Sequence, residues 1–146
     1  MTVRPDPIVL DSSVLVAYER VRSADGGVLR ATQSRVAGWL LQDILLLLPA
    51  QSVAVTSSWC GGKLPELDFL LRGDPDQVLV VPLAWDAAVD VGAASAPPPA
   101  GQDLEIAHVV WCATGHTGDH APAVPWRVAT YAPHLYSGKG VPLIEL

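Results

Sequence analysis

The sequence predicts an α/β fold, a three-layer α/β/α sandwich around a mostly parallel central sheet of about five short strands. Short apolar runs alternate along the chain with longer segments of helical periodicity, which is the pattern of successive βαβ units. Half of the 146 residues are hydrophobic and only 16% are charged, which is enough apolar material for one packed core. This length fits a single domain over residues 1–146.

Five segments are predicted to be strands, because each is short, apolar and bounded by proline, glycine or polar residues. The third of them, QVLVVPL, is rich in valine, which favours a strand. In chain order the five segments are residues 8–10, 44–48, 77–83, 127–131 and 141–146.

The segments between these strands carry the helical pattern. Ser12 or Ser13 is predicted to cap the first helix, because serine is a favoured N-cap residue. Residues 50–59 are ambiguous between helix and strand, and the proline-rich stretch 92–102 is predicted to be a loop inside the domain. The predicted helices are residues 14–21, 28–42, 64–71, 84–94 and 103–113.

Charge and composition narrow the class of protein. A net charge of −6 and a pI of about 4.9 disfavour avid non-specific binding to nucleic acid. The start of the chain, MTVRPDP, lacks the apolar region of a signal peptide, and the longest apolar run, residues 44–48, is too short to span a bilayer. Cys60 and Cys112 are too few for a disulfide framework. We therefore expect a soluble cytoplasmic protein with reduced cysteines and no membrane partner.

Asp11 is the first candidate functional residue, because it directly follows the strand at residues 8–10. In parallel sheets, sites form at the carboxyl ends of strands, where the loops converge. Asp11 either caps the next helix or joins other acids around a divalent cation. Converging carboxylates repel one another, so Mg²⁺ or Mn²⁺ would hold them together, and a pair of such ions can drive phosphodiester hydrolysis.

Four segments in order resemble a known family, the PIN domain, which is the fold of the toxin ribonucleases of toxin–antitoxin pairs. IVLDSSVLVAY resembles the opening of that domain, and the last segment resembles its usual ending, in which a strand leads to a Thr-x-Asp motif and a final strand. The resemblance covers nearly the whole chain and implies the sandwich predicted above. The four segments are residues 8–18, 45–55, 103–113 and 127–146.

The resemblance also implies a site of three or four acids, which this chain holds only in part. Asp11 matches the first acid and Asp103 the third. The second would fall near Val55 and the fourth at Ala132, and neither residue is an acid. Glu105 lies near Asp103, but two residues along a helix turn about 200°, so the two are not expected to face one metal. The remnant acidic site is therefore Asp11 and Asp103, with Glu105 as a further candidate metal ligand.

Two functions follow from this partial match. The first is a non-catalytic binding or regulatory relative of the toxin ribonucleases, with no cofactor or weakly bound Mg²⁺ or Mn²⁺. The resemblance implies a homodimer and an antitoxin-like protein partner. The alternative is a Mg²⁺- or Mn²⁺-dependent ribonuclease that uses Asp11 and Asp103, with Glu105 or Asp119 completing the site, and only this alternative implies an RNA partner.

A third possibility is a zinc site at Cys112, His116 and His120, since these residue types suit zinc and lie four residues apart. Two glycines break any helix that would align the three, so ordinary core packing of Cys112 is the simpler interpretation. The tryptophans divide into two groups. Trp39, Trp59 and Trp111 are predicted in the core, whereas Trp85 and Trp126 border loops, where tryptophan often anchors a partner.

Overall fold

The structure is a computed structural model that describes residues 5–20, 26–95, 101–115 and 124–146. The described residues form five β-strands and six α-helices, with every strand pair parallel. Helices cover both faces of the sheet, so the predicted three-layer α/β/α class with a parallel sheet of five strands is confirmed.

The sheet has the order β3-β2-β1-β4-β5, with β1 at its centre. The first predicted strand has its predicted bounds, and the other four begin or end within a few residues of theirs. The short lengths fit strands buried between two helical layers, where a few apolar residues suffice. The bounds are β1 Ile8–Leu10, β2 Leu46–Pro49, β3 Val78–Val81, β4 Arg127–Thr130 and β5 Leu143–Glu145.

The helices connect successive strands, and residues 50–59, which the sequence left open, are one of them. Ser52 and Thr56, one turn apart, are both fully buried there, and the Thr56 hydroxyl donates to the Ser52 carbonyl. Among the described residues, no helix has both the length and the apolar character to cross a bilayer. The bounds are α1 Ser12–Glu19, α2 Gly26–Leu41, α3 Ala50–Trp59, α4 Pro65–Gly73, α5 Trp85–Ala94 and α6 Gly101–Ala113, with a 3₁₀ turn at Pro133–Tyr136.

Two apolar clusters lie on opposite faces of the sheet, because successive strand residues point to opposite sides. Ile8 and Leu10 of β1 join the cluster under α1, α2 and α4, while Val9 joins the cluster under α6. Helix α5 packs against α6, and α3 contacts both α1 and α6. Helix α3 thus follows directly from the end of β2 and closes the gap between the two helical layers.

Candidate functional site

The strand order places a topological switch point between β1 and β4. The chain runs from β1 to β2 and β3 on one side, then returns to the other side of β1 with β4 and β5. Ligand sites of open parallel sheets form outside the carboxyl ends of the strands at such a point. Asp11 directly follows β1 there, and an open hollow of about 660 Å³, here called the switch-point hollow, lies against it.

Asp11 is buried, with 2% of its surface exposed, and it is the N-cap of α1. Its Oδ1 atom accepts hydrogen bonds from the Ser13 amide at 3.0 Å, the Ser13 hydroxyl at 2.5 Å and the Val14 amide at 3.4 Å. The prediction that Ser12 or Ser13 caps this helix is therefore wrong. The helix begins at Ser12, two residues earlier than predicted, and the aspartate reaches the free amides of its first turn.

The second oxygen of Asp11 is also engaged. Asp11 Oδ2 accepts a hydrogen bond from the Tyr136 hydroxyl at 2.8 Å, and Tyr136 is only 3% exposed. Burial raises the pKa of the Tyr136 hydroxyl well above its ordinary value, and the neighbouring charge of Asp11 raises it further. Tyr136 therefore stays a hydrogen-bond donor and ties the turn after β4 to the end of β1.

Glu105 on α6 is the second buried carboxylate of this region, with 4% of its surface exposed. Its Oε2 atom accepts from the Ser12 amide at 3.0 Å and the Ser52 hydroxyl at 2.9 Å, and its Oε1 atom accepts from the Ser12 hydroxyl at 2.6 Å. Glu105 of α6 thereby links the first turns of α1 and α3 through hydrogen bonds. Its negative charge lies at the amino end of α1, where the helix dipole favours an anion.

Asp103 is not brought to Asp11. It is exposed on the first turn of α6 and lines a different hollow, together with Ser95 and Lys139. The expectation that Asp103 and Glu105 project from different sides of the helix agrees with this placement. It is Glu105, and not Asp103, that lines the switch-point hollow with Asp11.

The donor set does not fit a pair of Mg²⁺ or Mn²⁺ ions. Such a pair needs many oxygen ligands, with carboxylates bridging and flanking the ions. Within the described part of the chain, no group of three or more His, Cys, Asp or Glu side chains is arranged to hold a metal. The oxygens of Asp11 and Glu105 already accept hydrogen bonds from hydroxyls and amides of their own chain.

The two positions at which the resemblance implies further acids both line the switch-point hollow. These are Val55 on α3 and Ala132, two residues after β4. An acidic side chain at either position would share the hollow with Asp11 and Glu105. As the chain stands, the apolar part of the wall is formed by Val16, Val55, Trp59, Ile106, Ala132 and Leu135, and polar side chains such as Arg20, Ser58 and Gln102 line the hollow beside them.

Trp59 corrects a further expectation, because it is 66% exposed instead of lying in the core. It ends α3 at the rim of the hollow, where Arg20 donates a hydrogen bond to its carbonyl at 2.7 Å. Residue 59 has the helical spacing of the buried Ser52 and Thr56, but Trp59 is the last residue of α3, where the helix reaches the rim of the hollow. The mouth of the hollow therefore carries an indole and a guanidinium group.

The zinc hypothesis gains no support from Cys112. This side chain is fully buried in the cluster under α6, and burial raises the pKa of its thiol to about 12. Zinc binds the thiolate, which this environment disfavours. His116 and His120, like Asp119, lie outside the described residues.

His108 is a buried histidine that sequence reasoning did not single out. It lies on the same face of α6 as Glu105, is fully buried, and accepts a hydrogen bond at Nδ1 from the Gln51 amide at 3.5 Å. Its Nε2 atom has no hydrogen-bond partner among the described residues. Burial lowers the pKa of His108, and the nearby Pro82 backbone offsets part of that effect.

Acid sensitivity follows from His108. Its pKa is lower in the folded state than the unfolded value of 6.5, so below pH 6.5 the unfolded state binds more protons. We expect the free energy of unfolding to fall by up to about 1.4 kcal/mol per pH unit below that point, until the pH passes the folded pKa. Chemical denaturation between pH 8 and pH 4.5 measures this slope.

The matched variants for this experiment are His108→Gln and His134→Gln, since His134 is exposed. His108→Gln should remove most of the slope between pH 6.5 and pH 5, whereas His134→Gln should leave the slope unchanged. An identical slope in the wild type and in His108→Gln would contradict the assignment to His108.

Chemically, the site as a whole is a partly apolar hollow with two carboxylates in its floor, Asp11 and Glu105. Both are held in fixed positions by hydrogen bonds, so the floor is preorganised and not free to rearrange around a ligand. A polar group of a ligand could still reach the carboxylate edge, while the wall accepts apolar surface. Neither the protein-family models nor the curated protein sequences compared with the chain gave a match.

Proposed function

We propose that this chain is a PIN-like domain with a depleted acidic site, which acts as a non-catalytic binding or regulatory relative of the toxin ribonucleases. The observation that carries the proposal is the placement of Val55 and Ala132. The resemblance assigns acids to these two positions, and both line the same hollow as Asp11. Replacement of two acids of an ancestral cluster by Val55 and Ala132 accounts for this placement.

The hydrogen bonds of the remaining acids support loss of catalysis. Asp11 accepts hydrogen bonds from the first turn of α1 and from Tyr136, and Glu105 accepts them from Ser12 and Ser52. Each carboxylate therefore stabilises the fold. Removing two acids from such a cluster also removes mutual repulsion, which favours the folded state without metal. A hollow with a fixed polar floor and an apolar wall then suits binding better than hydrolysis.

The proposed partners follow from the same resemblance. Two copies of the chain pair as a homodimer, and a protein of the antitoxin type is the partner of the hollow. The net charge of −6 favours a protein over a nucleic-acid backbone as the occupant. The protein is proposed to act in the cytoplasm.

A Mg²⁺- or Mn²⁺-dependent ribonuclease is the second candidate, because two carboxylates do line one hollow. The sequence predicts Asp11 and Asp103 as the acids of this ribonuclease. The exposed position of Asp103 in a different hollow weighs against that pair, and Glu105 would have to replace it. RNA is a partner only in this case.

Restoring the missing acids tests the proposal. We expect calorimetric titration of Mn²⁺ into the wild type to give no binding at micromolar concentrations. The double variant Val55→Glu with Ala132→Asp is expected to bind Mn²⁺ at least tenfold more tightly than the wild type, because four acids would then share the hollow. Circular dichroism checks that each variant is folded.

The control is the double variant Ala54→Glu with Ala132→Asp, which places the new glutamate outside the hollow. Ala54 lies on the same helix, one residue from Val55, and is exposed. It should bind Mn²⁺ at least tenfold more weakly than the restored double variant. Micromolar binding by the wild type that disappears in Asp11→Asn, together with Mn²⁺-dependent cleavage of RNA, would instead establish the ribonuclease. Equal binding by the two double variants would count against the PIN-like assignment of Val55.

A further inference from the structure

A second hollow, of about 520 Å³, lies between the outer strand β3 and helix α5 and is here called the α5–β3 hollow. Among the described residues, it shares no lining residue with the switch-point hollow. Pro7, Leu45 and Trp126 line it and directly precede β1, β2 and β4. It therefore reaches the amino edge of the sheet, whereas Asp11 lies at the carboxyl edge. Its volume falls in the usual range of small-molecule sites, which is about 300 to 1,000 Å³.

The α5–β3 hollow exists because α5 packs against α6 and leaves β3 only partly covered. Val81 and Ala87 line the hollow and are buried, with 6% and 2% of their surfaces exposed. Leu79 lies on the same face of β3 as Val81, yet 40% of it is exposed. Apolar surface inside a concave site of this kind suits the apolar body of a ligand.

Two tryptophans line the same hollow, and both are held in place. The Trp111 indole donates a hydrogen bond to Asp90 at 3.3 Å, and its ring centroid lies 6.0 Å from that of the buried His108. The Trp126 amide donates to the Ala113 carbonyl at 2.7 Å, which anchors residue 126 beside the end of α6. The aromatic part of the wall is therefore preorganised, and tryptophan is the side chain whose ring face binds cations best.

Asp86 sets the charge of the α5–β3 hollow, because it is the one charged side chain among the described residues that line it. It lies in the first turn of α5, where the amides of the helix end would by themselves favour an anion. The full negative charge of Asp86 outweighs the roughly half positive charge of a helix end, so the local field favours a cation. The net charge of −6 acts in the same direction.

We propose that the α5–β3 hollow binds a small organic cation with an apolar body, of the class of the arylalkylamines. The body packs on the apolar floor and the two indoles, and the ammonium group lies near the Asp86 carboxylate. Because Asp86 is exposed, the ion pair adds little affinity in water, and most of the affinity comes from the apolar surface. This site goes beyond the proposed function, since neither Asp11 nor Glu105 takes part in it.

Three indole probes of similar size test the ligand class by titration calorimetry. Tryptamine is a cation at pH 7, indole-3-ethanol is neutral, and indole-3-propionate is an anion. We expect the dissociation constant of tryptamine to be about fivefold below that of the neutral probe and at least tenfold below that of the anion. Added salt should narrow these differences, because it screens the charge of Asp86.

Nuclear magnetic resonance locates the site. On addition of tryptamine, we expect the indole N–H signals of Trp111 and Trp126 to shift, because both side chains line the hollow. The signal of Trp39 should not move, since this side chain is buried in the apolar cluster on the opposite face of the sheet. Shifts confined to other tryptophans would overturn the assignment to this hollow.

Two variants separate the charge of the site from its apolar surface, and circular dichroism checks that each is folded. Asp86→Asn should bring tryptamine to the affinity of the neutral probe. Ala84→Phe adds a ring at an exposed residue that lines the hollow, so it should weaken tryptamine and indole-3-ethanol at least fivefold. Asp103→Asn is the matched control, because Asp103 is also exposed but lines a different hollow, and it should leave both affinities unchanged.

Several outcomes would contradict the proposal. Equal binding of tryptamine and indole-3-ethanol would overturn the preference for a cation, and tighter binding of indole-3-propionate would show that the end of α5 outweighs Asp86. Equal losses in Asp86→Asn and Asp103→Asn would reduce the preference to a general effect of net charge. No binding of tryptamine up to millimolar concentration would overturn the site itself.

Discussion

Replacing Glu105 with alanine is expected to lower the free energy of unfolding by about 3 kcal/mol and the melting temperature by about 10 °C. The alanine leaves the Ser12 amide, the Ser12 hydroxyl and the Ser52 hydroxyl without their shared acceptor in a largely buried place. It also opens a gap where α1, α3 and α6 meet. Denaturant titration with circular dichroism measures the loss.

Two matched variants separate this explanation from a general effect of charge on α6. Glu105→Gln keeps the side-chain volume and one acceptor oxygen, so it should cost less, about 1 to 2 kcal/mol. Asp103→Ala removes an exposed carboxylate two residues earlier and should change the free energy of unfolding by less than about 1 kcal/mol. Equal losses in Asp103→Ala and Glu105→Ala would contradict the structural role given to Glu105.

The second large effect is expected at Asp11. Asp11→Ala removes the N-cap of α1 and leaves the buried Tyr136 hydroxyl without its acceptor, for a loss of about 3 kcal/mol in the free energy of unfolding. Asp11→Asn keeps a good capping side chain and should cost about half as much. This milder variant is therefore the proper control in metal titrations, because it stays folded.

A double-mutant cycle isolates the contact between the two residues. Tyr136→Phe removes only the hydroxyl that donates to Asp11 at 2.8 Å. In the Asp11→Ala background this second change should cost about 1.5 to 2 kcal/mol less than in the wild type, since the partner is already gone. Additive losses would show that the Tyr136 hydroxyl and the Asp11 carboxylate do not interact.

The sheet could be predicted from the sequence because buried parallel strands are nearly continuous apolar runs. Residues 8–10 are such a run, and their predicted bounds are those of β1. The helix at residues 50–59 could not be identified, because its inward face includes Ser52 and Thr56. A search for apolar periodicity does not count a serine or a threonine that becomes buried through hydrogen bonds.

The candidate site was predicted only in part, for a related reason. Asp11 was found because it follows an apolar strand, and a strand end can be recognised locally. The resemblance favours Asp103 over Glu105 as the site acid of α6, although the helical spacing of the buried residues points to Glu105. Glu105 shares the helical spacing of His108, Val109 and Cys112, all of which are buried, whereas Asp103 does not. The partners of Glu105 lie 53 and 93 residues away in the chain, and no local pattern reveals them.

The central place of β1 has a consequence for synthesis of the chain on the ribosome. β1 pairs with β2, which ends at residue 49, but its other neighbour is β4, which ends at residue 130, 81 residues later. At roughly 5 to 20 residues per second, that interval is about 4 to 16 seconds. Throughout this interval β1, whose three residues are all apolar, has an open edge, which other chains could pair with. Completion of the sheet therefore waits for residues 127–145, which form β4 and β5, to be synthesised.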